Sequence, residues 1–186
     1  MEALLTSTLV VALAEIGDKT QLLAILLAVQ FRKPLAIIAG IFAATIANHF
    51  LAALIGSQAA AFLEGDWFRY LIAASFLLMA AWTLIPDKLD EDERPRMRNG
   101  AFLTTLITFF LVEMGDKTQV ATIALGAQFE QVALVTLGTT VGMMLANVPA
   151  VYFGEAVIRR VPLSVVRRLA ALLFLALGIW LIAETA

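Results

Sequence analysis

Long apolar segments, interrupted by short charged stretches, are the feature that most limits how this 186-residue chain can fold. Hydrophobic residues make up 61% of the chain and charged residues only 15%. A soluble domain could not cover so much apolar surface, whereas about 20 apolar residues suffice to cross a bilayer core as a helix. The sequence therefore predicts an all-α integral membrane protein with six transmembrane helices, at Leu4–Val29, Leu35–Ser57, Phe68–Ile85, Ala101–Gln128, Val132–Gly154 and Leu163–Glu184.

Three other classes of protein fit this composition poorly. The apolar runs are nearly continuous, as in Leu35–Ala47, and lack the alternation that is typical of a membrane β-barrel. A net charge of −2 leaves no basic patch for nucleic acid. The chain has no cysteine, and its one histidine, His49, lies outside the motifs described below, so the sequence does not predict an enzyme.

The pattern Glu-x-Gly-Asp-Lys-Thr-Gln occurs twice, at Glu15–Gln21 and Glu113–Gln119, each time inside an apolar segment. A shift of 98 residues superimposes the two, and ten of the seventeen positions from Glu15 to Phe31 are then identical. The same shift also superimposes Gly40 and Gly138, Gly56 and Gly154, and Phe76 and Phe174, while Asn48 and Asn147 correspond after a slip of one residue. We therefore expect two three-helix repeats, residues 1–86 and 100–186, joined by a charged linker at residues 87–99.

Three helices per repeat would make the second repeat enter the membrane from the opposite side. This gives a 3+3 inverted-topology repeat, an architecture of many secondary transporters. The Lys and Arg residues are concentrated in the first, third and fifth loops: Arg32, Lys33, Lys88, Arg94, Arg96, Arg98, Arg159, Arg160, Arg167 and Arg168. Because cytoplasmic loops carry the basic excess, we expect a multi-pass protein of the cytoplasmic membrane with both termini on the non-cytoplasmic side.

The doubled motif places ionisable side chains in hydrocarbon, at roughly 2.5–3.5 kcal/mol each on insertion scales. On a continuous helix, Glu15, Asp18 and Lys19 would share one face, with Leu22 continuing it. The motif glycines allow either close helix packing or a local break that frees backbone carbonyls. In a competing interpretation, each motif Glu pairs with the Lys four residues later and only assists packing, which would leave Asp18 and Asp116 unpaired.

Charge and ligand type favour a hard cation at one shared site. Four carboxylates and two ammonium groups sum to −2, which one divalent ion or two protons would neutralise. Oxygen ligands suit Mn²⁺, Ca²⁺ and Mg²⁺. The predicted metal ligands are Glu15, Asp18, Glu113 and Asp116. Secondary ligands or gating residues are expected among Lys19, Thr20, Gln21, Asn48, Lys117, Thr118, Gln119 and Asn147, and the two asparagines could equally form interhelical hydrogen bonds. For His49 the sequence favours packing or cavity lining over a proton relay, because the histidine has no counterpart in the second half.

The two motifs, Glu15–Thr20 and Glu113–Thr118, resemble the signature of the MneA-like and Gdt-type cation transporters. The resemblance extends over the whole chain and implies that Glu15, Asp18, Glu113 and Asp116 bind the cation, with Thr20 and Thr118 beside them. It also implies a substrate, Mn²⁺ or Ca²⁺, that is exchanged for protons.

The sequence therefore predicts a secondary transporter that exports Mn²⁺ in exchange for protons. A Ca²⁺/H⁺ antiporter, a passive divalent-cation channel and an exporter of basic solutes are the alternatives, although Lys19 and Lys117 would oppose a basic solute. The expected partners are the transported ion and membrane lipid, with no resident cofactor.

Overall fold

The computed structural model describes residues 1–63, 65–86, 100–154, 156 and 162–186. This part of the chain contains eight helices: α1 (Glu2–Glu15), α2 (Lys19–Phe31), α3 (Pro34–Phe62), α4 (Asp66–Thr83), α5 (Ala101–Glu113), α6 (Lys117–Phe129), α7 (Val132–Phe153) and α8 (Leu163–Thr185). The predicted linker Asp87–Asn99 and the basic pair Arg159 and Arg160 lie outside the described residues.

The distribution of apolar and polar side chains is that of a membrane protein. Among the described residues, α3, α7 and α8 are long and apolar enough to cross a bilayer. Large apolar side chains face outward, with Leu78 71% and Leu172 60% exposed, whereas Glu15 and Glu113 are buried. This arrangement would be unfavourable in water and is favourable in lipid, where apolar surface needs no cover.

The two predicted helices that carry the motifs, Leu4–Val29 and Ala101–Gln128, are each broken in two, which is one of the two roles that the sequence left open for the motif glycines. The breaks fall at residues 16–18, between α1 and α2, and at residues 114–116, between α5 and α6. Gly17 has a φ of +84° and Gly115 a φ of +78°, a conformation that glycine adopts without a steric penalty. The motif glycines therefore act as helix breakers.

Each break is a tight turn between a glutamate and an aspartate. The Asp18 N–H donates to the Glu15 carbonyl at 3.0 Å, and the Asp116 N–H donates to the Glu113 carbonyl at 3.1 Å. Each aspartate is then the N-cap residue of the following helix, a position that favours Asp and negative charge. The predicted shared helix face is consequently wrong, because each Glu ends one helix while each Asp precedes the next.

Close helix packing at glycines repeats with the same 98-residue shift. A Cβ at Gly40 would lie 2.8 Å from the Phe102 carbonyl oxygen, and one at Gly138 would lie 2.5 Å from the Leu4 carbonyl oxygen. Phe102 lies 98 positions after Leu4, and Gly138 lies 98 positions after Gly40. The packing of α3 on α5 is therefore repeated in the packing of α7 on α1. Small residues let these backbones approach closely and bring the two breaks into the centre of the protein.

The outer helices α4 and α8 pack against each other through another shift-related pair. The rings of Phe76 and Phe174 stack with their centroids 6.4 Å apart, and both side chains are buried. On the other side of the centre, α3 and α6 meet at Gly56 and Gly126, where an added Cβ at Gly56 would be 2.0 Å from the Ile123 carbonyl oxygen. These contacts enclose the motif side chains.

Candidate metal centre

The four motif acids are all buried, with exposed fractions of 0% for Glu15, 3% for Asp18, 2% for Glu113 and 5% for Asp116. The two breaks bring three of them together: one carboxylate oxygen each from Glu15, Glu113 and Asp116 lies within 4.8 Å of the other two. We call these three residues the acid group. Such close carboxylates repel one another unless cations or protons compensate their charge.

Asp18 lies outside the acid group and pairs with a lysine of the other motif. Its Oδ1 is 3.4 Å from the Nζ of Lys117, which the sequence places 99 residues away. The pairing is reciprocal, because Lys19 Nζ lies 3.7 Å from Asp116 Oδ1. Both aspartates therefore have a lysine partner across the motifs, unlike in the interpretation of ion pairs within each motif, which left them unpaired. The lysines connect the two motifs.

The threonines of both motifs act on the same carboxylate. Thr20 Oγ1 donates to Glu15 Oε2, and Thr118 Oγ1 donates to Glu15 Oε1. Both oxygens of Glu15 are thus held by donors, one from its own motif and one from the other. Hydrogen bonds to a charged acceptor are worth about 1.5–3 kcal/mol, so they help to keep this carboxylate in place inside the protein.

The glutamines satisfy the backbone at the breaks. Gln21 Oε1 accepts from the Gly17 N–H at 3.0 Å, and Gln119 Oε1 accepts from the Gly115 N–H at 2.7 Å. A free amide in the membrane interior is costly, and these side chains replace the lost helical acceptors. They stabilise the breaks, and a part for Gln21 and Gln119 as secondary ligands or gating residues stays a prediction.

The amide groups of the same glutamines attach the breaks to α7 and α3. Gln21 Nε2 donates to the Ala146 carbonyl at 2.9 Å, and Gln119 Nε2 donates to Asn48 Oδ1. Ala146 lies 98 positions after Asn48, just as Gln119 lies 98 positions after Gln21. The two contacts are therefore equivalent under the 98-residue shift, without the one-residue slip that aligns the two asparagines. Asn48 also donates to the Phe110 carbonyl at 3.2 Å and thus forms an interhelical contact.

Asn147 makes a different contact from Asn48. Its Nδ2 donates to the Met143 carbonyl at 3.1 Å, one turn earlier on the same helix, and the residue is fully buried. Its Oδ1 accepts no hydrogen bond from the described residues. Asn147 is therefore near Gln21 through its neighbour Ala146, and its part as a secondary ligand stays a prediction.

Glu113 differs from Glu15 because neither of its oxygens accepts a hydrogen bond within the described part of the chain. Its Oε1 lies 3.6 Å from Nε2 of His49, which is fully buried on α3. Leaving a buried polar group unsatisfied costs about 1–3 kcal/mol. The sequence favoured packing or cavity lining for His49 and did not predict this contact with Glu113, although its position beside Asn48 could have indicated that it lies near the site.

The geometry provides a compact, buried set of hard oxygen ligands. Within it, the two Glu113 oxygens accept no hydrogen bond from the described residues. The acid group has three carboxylates. Two positive charges lie close to the site, because Lys19 pairs with Asp116 and Lys117 pairs with Asp18. A divalent cation would satisfy such ligands. The same carboxylates can hold protons when the cation leaves, so the site has the chemistry for exchange.

Comparison with known proteins identifies the family. The family model for the divalent cation/proton antiporter GDT1 matches residues 3–91 and 101–186. The chain is 51% identical over 180 residues to a Vibrio cholerae protein named "Putative manganese exporter", covering 96% of this chain and 90% of that protein. It is 26% identical to GDT1-like protein 5 of Arabidopsis thaliana, covering 90% of this chain and 89% of that protein. No solved structure matches it significantly. The chain belongs to the GDT1 family, whose members transport divalent cations, and is a transporter and not an enzyme.

Proposed function

We propose that this protein exports Mn²⁺ from the cytoplasm in exchange for protons, through one site formed by the two motifs. The acid group carries the proposal, because three buried carboxylates converge within 4.8 Å and Glu113 has no hydrogen-bond donor among the described residues. Glu15, Glu113 and Asp116 are the direct ligands in this proposal. Asp18, Lys19 and Lys117 set the charge of the site, and Thr20 and Thr118 hold Glu15.

The arrangement of the helices supports a 3+3 inverted repeat with six membrane spans. Helices α1 with α2, and α5 with α6, are discontinuous in the manner of transporter helices that line a binding site. The contacts of Gly40 and Gly138 repeat with the 98-residue shift, as a duplication requires. The basic residues of the first, third and fifth loops support a cytoplasmic location for those loops, with both termini on the other side of the cytoplasmic membrane.

Unequal packing of equivalent helices supports alternating access to the site. Helices α3 and α6 touch at Gly56, whereas no described atom lies within 4 Å of a Cβ built at its shift-related residue, Gly154. Of these two equivalent positions, the one inside α3 is thus closely packed, and the one that follows the end of α7 is open among the described residues. In a transporter with two repeats, exchange of these two packings would move access from one membrane face to the other.

Two observations support Mn²⁺ and protons as the exchanged ions. The Vibrio cholerae relative carries the name of a manganese exporter, and the family description is of a cation/proton antiporter. The acid group binds metal only when it is deprotonated, so metal uptake by the site releases protons. The charge of −2 on the four acids and two lysines sets an upper limit of two protons per divalent ion.

The test measures Mn²⁺ uptake into sealed proteoliposomes under an imposed pH gradient. We expect an outward-directed proton gradient to drive Mn²⁺ uphill, an ionophore that collapses the gradient to abolish this uptake, and Mn²⁺ entry to move protons outward. Asp116→Asn should lose the activity. Glu184→Gln is the matched control, since Glu184 is an exposed acid that pairs with Arg69 at 3.2 Å, far from the motifs in sequence.

Two outcomes would favour the other functions. Uptake that follows only the Mn²⁺ gradient, with no proton movement and no effect of the ionophore, would support a passive channel. Proton-coupled transport of Ca²⁺ with Mn²⁺ excluded, at matched concentrations, would support a Ca²⁺/H⁺ antiporter.

A further inference from the structure

We propose that His49 is a nitrogen ligand of the transported ion and gives the site its preference for Mn²⁺ over Ca²⁺ and Mg²⁺. This inference rests on the proposed function, because it concerns the same ion and the same site. Its basis is the position of a buried imidazole beside the acid group. The side chain is 0% exposed, and neither ring nitrogen has a hydrogen-bond partner in the described part of the chain.

The distance between His49 and Glu113 fits two ligands of one ion better than a hydrogen bond. Nε2 of His49 and Oε1 of Glu113 are 3.6 Å apart, beyond the usual range of an N–H···O bond. Two donor atoms that hold one octahedral ion at about 2.2 Å lie about 3 Å apart when adjacent and about 4.4 Å apart when opposite. The nitrogen therefore lies on the Glu113 side, outside the set of three oxygens within 4.8 Å of one another, and would reach the ion together with Glu113.

The surrounding contacts hold α3 in this position. Asn48, the residue before His49, accepts a hydrogen bond from Gln119 and donates one to the Phe110 carbonyl. Gln119 in turn accepts from the N–H of Gly115 in the second break. The backbone of α3 at His49 is thus attached to the turn that carries Glu113 and Asp116, which keeps the imidazole beside these two acids.

A nitrogen ligand changes the selectivity of an oxygen site. Imidazole binds first-row transition ions well, whereas Ca²⁺ and Mg²⁺ prefer oxygen ligands. The second half has no histidine at the equivalent position, because the 98-residue shift places Asn147 on His49. Nitrogen ligation would therefore come from one repeat only, and His49→Asn would introduce the residue that the second repeat carries there.

The experiment is pulsed electron paramagnetic resonance of Mn²⁺ bound to the purified protein in lipid nanodiscs, with a purification tag that contains no histidine. His49 is the only histidine in the chain, so a coupling of bound Mn²⁺ to an imidazole ¹⁴N can come from no other residue of one protomer. We expect this coupling in the native protein and its loss in His49→Asn. The native-protein spectrum tests the proposal even if the variant fails to fold.

Binding constants for Mn²⁺ and Ca²⁺ provide the second readout. His49→Asn should raise the Kd for Mn²⁺ by about tenfold or more and change the Kd for Ca²⁺ by less than about twofold. Thr136→Val is the matched control, since it also removes a buried side-chain group with no hydrogen-bond partner among the described residues. Thr136 lies about 16 Å along α7 from Asn147, the residue equivalent to His49. This control should alter neither constant.

The possible results separate this inference from the proposed function. Mn²⁺ that binds in a Glu113-dependent manner without ¹⁴N coupling would overturn the role of His49 and leave the proposed function standing. An equal loss of Mn²⁺ and Ca²⁺ affinity in His49→Asn would assign the residue a structural role and also overturn the inference. Absence of any Mn²⁺ binding by the native protein would overturn both.

Discussion

Lys117 Nζ lies 3.4 Å from Asp18 Oδ1, and this contact joins the second motif to the first inside the protein. Both side chains are nearly inaccessible, at 6% and 3% exposed. The reciprocal pair, Lys19 and Asp116, is slightly longer at 3.7 Å, and Lys19 is more exposed, at 16%. The motifs are therefore connected by crossed ion pairs, and the two pairs are not equivalent.

The Asp18–Lys117 pair should be strongly coupled in its effect on stability. Removing one partner of a buried pair leaves an uncompensated charge, at a cost of about 3–5 kcal/mol. We expect Asp18→Asn and Lys117→Gln each to lower the melting temperature in detergent, and the double variant to lose much less than the two losses combined. Additive losses in this double-mutant cycle would show that the pair does not interact energetically.

Removal of each aspartate–lysine pair in turn should show which of the two aspartates binds the metal ion directly. Asp18→Asn with Lys117→Gln, and Asp116→Asn with Lys19→Gln, each remove one acid and one base from equivalent positions. Because only Asp116 belongs to the acid group, the second double variant should raise the Kd for Mn²⁺ roughly 100-fold and the first roughly tenfold or less. Isothermal titration at fixed pH measures both. Equal losses would place Asp18 among the direct ligands.

Thr118 should support metal binding through Glu15. Thr118→Val removes a donor that the second motif supplies to a carboxylate of the first, so Glu15 loses part of its orientation. We expect the Kd for Mn²⁺ to rise by roughly tenfold or more, as for other groups that orient metal ligands. Thr122→Val is the matched control one turn later on α6, where the hydroxyl only donates to the Thr118 carbonyl at 2.7 Å. A similar effect of both changes would contradict a specific role of Thr118.

Gly56 should be required for the close packing of α3 on α6. In Gly56→Ala, the new Cβ would lie 2.0 Å from the Ile123 carbonyl oxygen, which is backbone and must move. We expect a destabilisation of about 1–3 kcal/mol and reduced transport. Gly100→Ala serves as the control, because no described atom lies within 4 Å of its added Cβ. Thermal stability and Mn²⁺ uptake that match the native protein in Gly56→Ala would show that α3 and α6 need not pack so closely.

The orientation in the membrane can be tested by single cysteines, since the native chain has none. Glu93→Cys in the charged central linker should resist a membrane-impermeant thiol reagent in intact cells, because the linker is proposed to be cytoplasmic. Glu2→Cys should react. The reverse pattern would contradict the proposed orientation.

The amino-acid sequence by itself determined the class of the protein and the residues of the candidate site. Apolar segments and internal polar residues follow directly from the free energy of transfer into lipid, which depends on residue type and local length. The repeated motif also predicted Glu15, Asp18, Glu113 and Asp116 as ligands, because like residues at a constant shift of 98 indicate duplication without any coordinates.

The tertiary structure decided how those residues are connected. Whether Gly17 breaks a helix or permits close packing depends on a balance between backbone strain and the hydrogen bond that Gln21 supplies, and local pattern leaves that balance open. The pairing of Lys117 with Asp18, 99 residues away, and the approach of His49 to Glu113 depend on how α3, α5 and α6 pack. Contacts between distant segments arise from the shapes and charges of whole helices, so spacing along the chain could not predict them.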